Sequence, residues 1–187
     1  MNTPAHAIIN LLILSRKPDH RSSAAIVAGA FIPDLAIIFF YAWQLLRGTS
    51  ESQIWSVEYY RPFWQGWIDA FNSIPLVAIA MLLCWFARKP LALLFFSSMM
   101  LHLLGDLPLH HDDGHRHFFP FSDWRFESPV SYWDPAHHGA LAGAIEFAMV
   151  IAAATWMYRY RAPLRPWVAS ITGVYLLYWI YVYVVWL

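Results

Sequence analysis

Cysteine and charge are both scarce in this chain. A single cysteine, Cys84, among 187 residues rules out an internal disulfide. At 13% charged residues the sequence carries about half the charge of an average soluble domain. Twelve Lys and Arg balance twelve Asp and Glu and no basic block stands out, so nucleic acid is not an expected partner. No internal repeat, low-complexity tract or second soluble domain is visible, and no basic region precedes the first apolar run, so no cleavable signal peptide is expected. What remains is 59% hydrophobic and 18% aromatic, the composition of an integral membrane protein.

Five apolar stretches meet the ~20 residues that a hydrocarbon core demands: 24–46, 66–87, 91–109, 139–160 and 167–187. A sixth, 3–14, is too short to cross and has Thr3 as its expected N-cap. The expected fold is all-α: one integral membrane domain over residues 1–187, a polytopic bundle of about six helices with the first one short. Pro33 is expected to break the backbone ladder of the first long span. Arg16, Lys17 and Arg21, then Arg88 and Lys89, then Arg159, Arg161 and Arg165 fall in alternate connectors, which the positive-inside rule assigns to the cytoplasm.

Against this background one stretch stands out. Residues 102–117 hold five of the nine histidines and three carboxylates. His102 and Asp106 stand four apart on one helix face, where two side chains can converge on one ion. Imidazole and carboxylate together favour zinc, with manganese or iron as alternatives, over calcium or magnesium. An ionisable group inside a span marks a functional site by default, which adds Asp34 and Glu146. His6 alone reads more readily as a packed helical residue. Asn72 and Ser73 read as caps at a helix entrance or as groups that touch substrate, with Asp69 beside them. His115 and His117 read equally well as solvated loop. The connector 110–138 is long enough to be functional; it is rich in aromatics and ends in a second cluster, Asp134, His137 and His138. By the charge-derived topology every one of these groups lies at or above the midplane on the outer side.

The order His6, Ile32-Pro33-Asp34, Asn72-Ser73 and His102-Leu-Leu-Gly-Asp106 resembles the bacterial integral-membrane metal-dependent hydrolases of the YdjM-like group, which typically show a histidine where Asn72 stands. His102-x-x-Gly-Asp106 followed by Pro108-Leu-His110 is more remotely similar to the helix motif of zinc-dependent phospholipases C. The resemblance implies a hydrolase of the bacterial inner membrane holding one or two divalent ions, with His6, Asp34, His102 and Asp106 as first ligands and His110 and His111 next. Asp113, Asp134, His137 and His138 become candidates for acid/base work, and Arg116 and Arg125, with Asn72 and Ser73, candidates for substrate contact. The implied substrate is a small molecule or a lipid, most naturally a lipid or lipid-linked phosphate ester met at the outer interface, with membrane lipid as the surrounding partner. A metal or proton-coupled transporter using Asp34 and Glu146 as an ion path is the rival reading.

Overall fold

The computed structural model describes residues 1–186, so Leu187, the end of the expected last span, lies outside the described residues. All regular structure among them is helical. Helix α1 (Thr3–Leu14) is capped by Asn2, whose side chain accepts from the Ala5 N–H at 3.2 Å. Thr3, expected as the cap, is instead the first helical residue, and its hydroxyl donates to Asp34 on the next helix. Asn2 is the better-placed cap because Pro4, in the first turn, has no N–H to leave unpaired.

Helix α2 (His20–Leu46) starts at Asp19, which accepts from the Arg21 and Ser22 N–H groups at 2.8 and 3.1 Å. It runs through Pro33 without ending. The proline withholds the N–H owed to the Gly29 carbonyl, but α1 and α6 (Pro90–Asp106) both pack against α2 and hold it as one helix. Gly48, at φ +72°, takes the left-handed conformation just past its end. The expected connector after it is folded rather than extended. Helix α3 (Glu51–Gln53) passes into a π-helical turn, Ile54–Glu58, that lies back on α2 with Trp55 stacked on Tyr41 at 5.5 Å.

The expected span 66–87 is two helices, α4 (Pro62–Phe71) and α5 (Ile74–Phe86), bent by 42°. Ser73 accepts from the Leu76 N–H at 3.2 Å and caps α5, and Pro75 sits in its first turn, so a new helix starts where the old one was expected to continue. After α6 come α7 (Gly139–Tyr160) and α8 (Arg165–Trp186). Among the described residues four helices are long and apolar enough to cross a membrane, or five if the bent pair counts as one span. The chain is a polytopic membrane protein.

The short α1 sits in the middle of the bundle, packed on α2, α6, α7 and α8. Its lower half and the helices around it form the largest apolar core, which includes Ile8, Leu11, Ile26, Met157 and Leu164. One polar knot crosses that core. Asn10 donates to the Ser98 carbonyl and hydroxyl at 2.8 and 2.9 Å, and the Ser98 hydroxyl donates to the Ile26 carbonyl at 2.6 Å, tying α1, α6 and α2 together. Interhelical hydrogen bonds in membrane proteins contribute ~0.6 kcal/mol on average and up to ~1.7. Asn10→Ala is therefore expected to destabilise the fold by about that much, read as a lower unfolding midpoint in detergent; an unchanged midpoint would show that packing alone sets the register.

Candidate metal centre

At the end of the bundle away from the basic connectors, α1, α2 and α6 bring four of the expected ligands together. The His6 and His102 rings stack, with centroids 3.7 Å apart and planes 17° from parallel. Both Nε2 atoms point at one carboxylate: His6 Nε2 lies 2.8 Å from Asp106 Oδ1 and His102 Nε2 lies 3.0 Å from Asp106 Oδ2. Asp34 Oδ1 stands 3.5 Å from His102 Nε2 on the other side. The ligand atoms of His6, His102 and Asp106 all lie within 4.8 Å of one another, and all three residues are buried. The four-residue spacing of His102 and Asp106 on α6 works as expected, and Asp34 reaches them because α2 packs along α6.

The protonation of His102 follows from its surroundings. Nδ1 lies 2.7 Å from the Ala30 carbonyl, which has no proton of its own, so Nδ1 must donate. Nε2 faces two carboxylates, so a neutral ring would hold its lone pair against negative charge, an arrangement that repels unless positive charge intervenes. Either a proton on Nε2 or a bound cation supplies that charge. A cation held by His6, His102 and Asp106 fits the donor set, with Asp34 close beside it. The Met1 amino group also lies 2.8 Å from Asp106 Oδ1, further evidence that this carboxylate collects positive charge.

His110 extends the group. Its Nε2 lies 3.8 Å from Asp106 Oδ1 and its Nδ1 lies 3.0 Å from Asp113 Oδ2, which also accepts from the Trp133 indole at 2.9 Å. Burial lowers the affinity of His110 for a proton, but the Asp106 and Asp113 carboxylates outweigh it and raise its pKa to about 9. His115, behind it, is lowered to about 4 by burial and by the neighbouring His110 and His117. These two loop histidines are not solvated, as the sequence equally allowed: His115 is 6% and His117 2% exposed. A cavity of about 750 Å³ opens above the cluster. Asp34, Asp106, His110, Asp113 and His115 reach its wall, and Trp55, Tyr59, Tyr60, Tyr132, Trp133 and Tyr178 supply the aromatic surface.

The other expected site residues lie elsewhere. His111 stacks on His137 at 3.6 Å, its Nδ1 donating to the Ser128 carbonyl at 2.7 Å, and His137 Nδ1 is 2.6 Å from Asp134 Oδ2. Asp134 also accepts from the Ala136 N–H and so caps a turn. His138 is exposed at φ +63°. None of these four lines the cavity; His111, His137 and Asp134 form a knot that closes the loop on itself. Asn72 donates to the Ile68 carbonyl at the end of α4, and Ser73 donates to the Phe119 carbonyl while it caps α5. Both are used by the bend.

Arg116 pairs with the buried Asp69 through Nε at 2.6 Å and with Asp123 through Nη1 at 2.6 Å. Arg125 donates to the Gly114 carbonyl and to Gln65. Neither guanidinium lines the cavity; together they fasten the loop to α4. Lysine keeps the charge of Arg116 but cannot make the forked pair of contacts. Arg116→Lys is accordingly expected to cost roughly 1 kcal/mol and to speed limited proteolysis of the 110–138 loop. A protease-resistance profile identical to wild type would show that the loop is held by other contacts.

Glu146, the other ionisable group flagged inside a span, is not part of the cluster. It accepts from the Asn2 backbone N–H at 3.1 Å, from the Asn2 side-chain amide and from the Tyr175 hydroxyl at 3.2 Å. It thereby anchors the start of α1, which sets the height of Thr3 and His6. Asn2 carried no sequence signal beyond its place before Thr-Pro, and the Ala30 carbonyl that fixes the His102 tautomer carried none.

No protein-family model matches the sequence, and no curated protein or solved structure is similar to it. The functional reading therefore rests on the geometry.

Proposed function

We propose that the protein is a membrane-embedded, metal-dependent hydrolase acting on a lipid or lipid-linked phosphate ester. The observation that carries this is the buried group of His6, His102 and Asp106, whose ligand atoms lie within reach of one ion, with Asp106 and the adjacent Asp34 reaching the wall of an aromatic-lined cavity. His6, Asp34, His102 and Asp106 would hold one divalent ion, zinc first and manganese or iron as alternatives. A divalent ion in such a set polarises a phosphoryl oxygen and acidifies water towards neutrality. The Thr3 hydroxyl holds Asp34 and the Ala30 carbonyl holds His102, so two of the four donors are oriented from outside the set.

His110 is the group placed to give a proton to a leaving oxygen. It faces the cavity, and Asp113 holds its far nitrogen. Of the residues expected to do acid/base work, Asp113 therefore keeps a part, as the orienting partner of His110. The cavity's wall is largely aromatic, and no guanidinium lines it to clamp a phosphate. Charge on the substrate is met by the ion and by His110.

The site would face the side opposite the basic connectors, which is the periplasmic or extracellular side if the membrane is the bacterial inner membrane that the resemblance implies. Against the transporter reading, the interior described below the cluster is the apolar core around α1, with the Asn10–Ser98 knot within it, and Glu146 is bonded to Asn2 and Tyr175. The test is turnover in detergent, where no gradient exists. Protein stripped with a chelator is expected to lose phosphoesterase activity and to regain it with added zinc or manganese; activity indifferent to chelation, or none with any ion, would contradict the proposal.

A further inference from the structure

The cavity above the metal centre is bounded on one side by Ile37 and the exposed Ile38 of α2 and by Tyr178 of α8. Helix α1 has 12 residues, a length of roughly 18 Å, and its first residue already touches Asp34. Met1 and Asn2 add to the cavity wall at this level. Among the described residues, helices α2 and α8 each pack on α1 and share no extensive packing with each other, which leaves a gap between them.

The cavity occupies that gap. Ile37 and Ile38 of α2 and Tyr178 of α8 line it. Ile38 is 52% and Tyr178 39% exposed, and their exposed neighbours Phe39 and Leu177 are apolar, as on a lipid-facing surface. Ile38 lies four residues beyond Asp34 and eight before the end of α2, about 12 Å below that end and so within the ~15 Å half-thickness of a hydrocarbon core. A site serving water-soluble esters has no use for an apolar mouth at that depth. The volume of about 750 Å³ is in the ~300–1,000 Å³ range of pockets for drug-sized ligands. It takes a headgroup and the start of a chain, and the rest of the chain must leave sideways.

We infer that the gap between α2 and α8 is a lateral portal, through which the hydrocarbon chain of a phosphate-ester amphiphile passes from the bilayer while its headgroup sits at the metal centre. The inference rests on the hydrolase reading and narrows its substrate class to molecules with a membrane-resident chain. Ile37, Ile38 and Tyr178 are then the residues that select for the chain.

The test reads occupancy rather than turnover. The full chain is reconstituted into phosphatidylcholine vesicles containing phosphatidic acid with a diazirine near the head end of its acyl chain, then irradiated, and the adducts are mapped by mass spectrometry. Adducts are expected on Ile37 and Tyr59, half-buried cavity walls. Ile38→Trp, which narrows the mouth, is expected to reduce them several-fold, whereas Leu82→Trp on the exposed face of α5 leaves them unchanged. Retained metal content shows that the Ile38→Trp protein is folded. Labelling confined to outer lipid-facing residues, or cavity labelling that Ile38→Trp does not reduce, would overturn the portal. A protein that labels as expected but hydrolyses no phosphate ester keeps the portal and loses the hydrolase reading. One that hydrolyses short-chain esters without cavity labelling loses the portal alone.

Discussion

Replacing His102 by alanine is expected to abolish metal retention and, with it, phosphoesterase turnover. The side chain is fully buried, its Nδ1 is committed to the Ala30 carbonyl, and its Nε2 is the atom facing both carboxylates. Loss of a mere outer partner of a metal ligand costs about 10–100-fold in affinity, so loss of the ligand itself exceeds that, and the metal measured in purified protein falls to background. Asp34 and Asp106 would then face each other with less positive charge between them, which adds a stability penalty. His111→Ala, one residue from His110 but turned into the knot with His137, is expected to keep both metal and turnover. The pair of variants separates the bundle's cluster from the loop's. Equal metal content in wild type and His102→Ala would refute the assignment of the site.

The second large effect is expected at Gly29, where α2 comes closest to α6. A Cβ built there would meet the Phe95 carbonyl oxygen at 2.1 Å and the Ser98 Cβ at 2.9 Å. The first obstacle is backbone and cannot rotate away, so Gly29→Ala must push the two helices apart by roughly an ångström. Overpacking of this kind costs roughly 1–3 kcal/mol, occasionally more. The displacement also reaches the site. Ala30, the next residue, holds His102, and Asp34 lies on the same helix, so the His102–Asp34 approach opens and metal affinity falls together with the unfolding midpoint. Gly173, with nothing within 4 Å of its Cβ position, is the control; Gly173→Ala is expected to be neutral or slightly stabilising through helix propensity. A Gly29→Ala protein as stable as wild type would show that the close approach is not needed.

The centre was legible in the sequence because its residues stand against an apolar background. His102 and Asp106 share a helix face by spacing alone, and a carboxylate after Pro33 inside a long span has few other uses. His6 was ambiguous for the opposite reason. A lone helical imidazole says nothing about its neighbours, and only the packing of α1 against α6 brings it over His102. The bend between α4 and α5 was written in Asn72, Ser73 and Pro75 as capping signals, but an unbroken apolar run outweighed them. The loop misled most. Arg116, Arg125, Asp134 and His137 carry the chemistry of an active site and serve to fold the connector, because what a charged loop residue touches depends on contacts such as Arg116 to Asp69 that are 47 residues apart. Backbone carbonyls and the anchor from Glu146 to Asn2 leave no pattern in a sequence at all.

The central claim is that His6, Asp34, His102 and Asp106 together hold one cation. Zinc-edge X-ray absorption on the zinc-loaded protein in detergent tests it most directly. The expected shell contains two imidazole nitrogens and carboxylate oxygens at ~2.0–2.2 Å, with one imidazole fewer in whatever metal His6→Ala retains and no change in His111→Ala. A protein that takes up no zinc, or a shell whose imidazoles disappear with His111 and His137 while His6→Ala and His102→Ala leave it intact, would contradict the account.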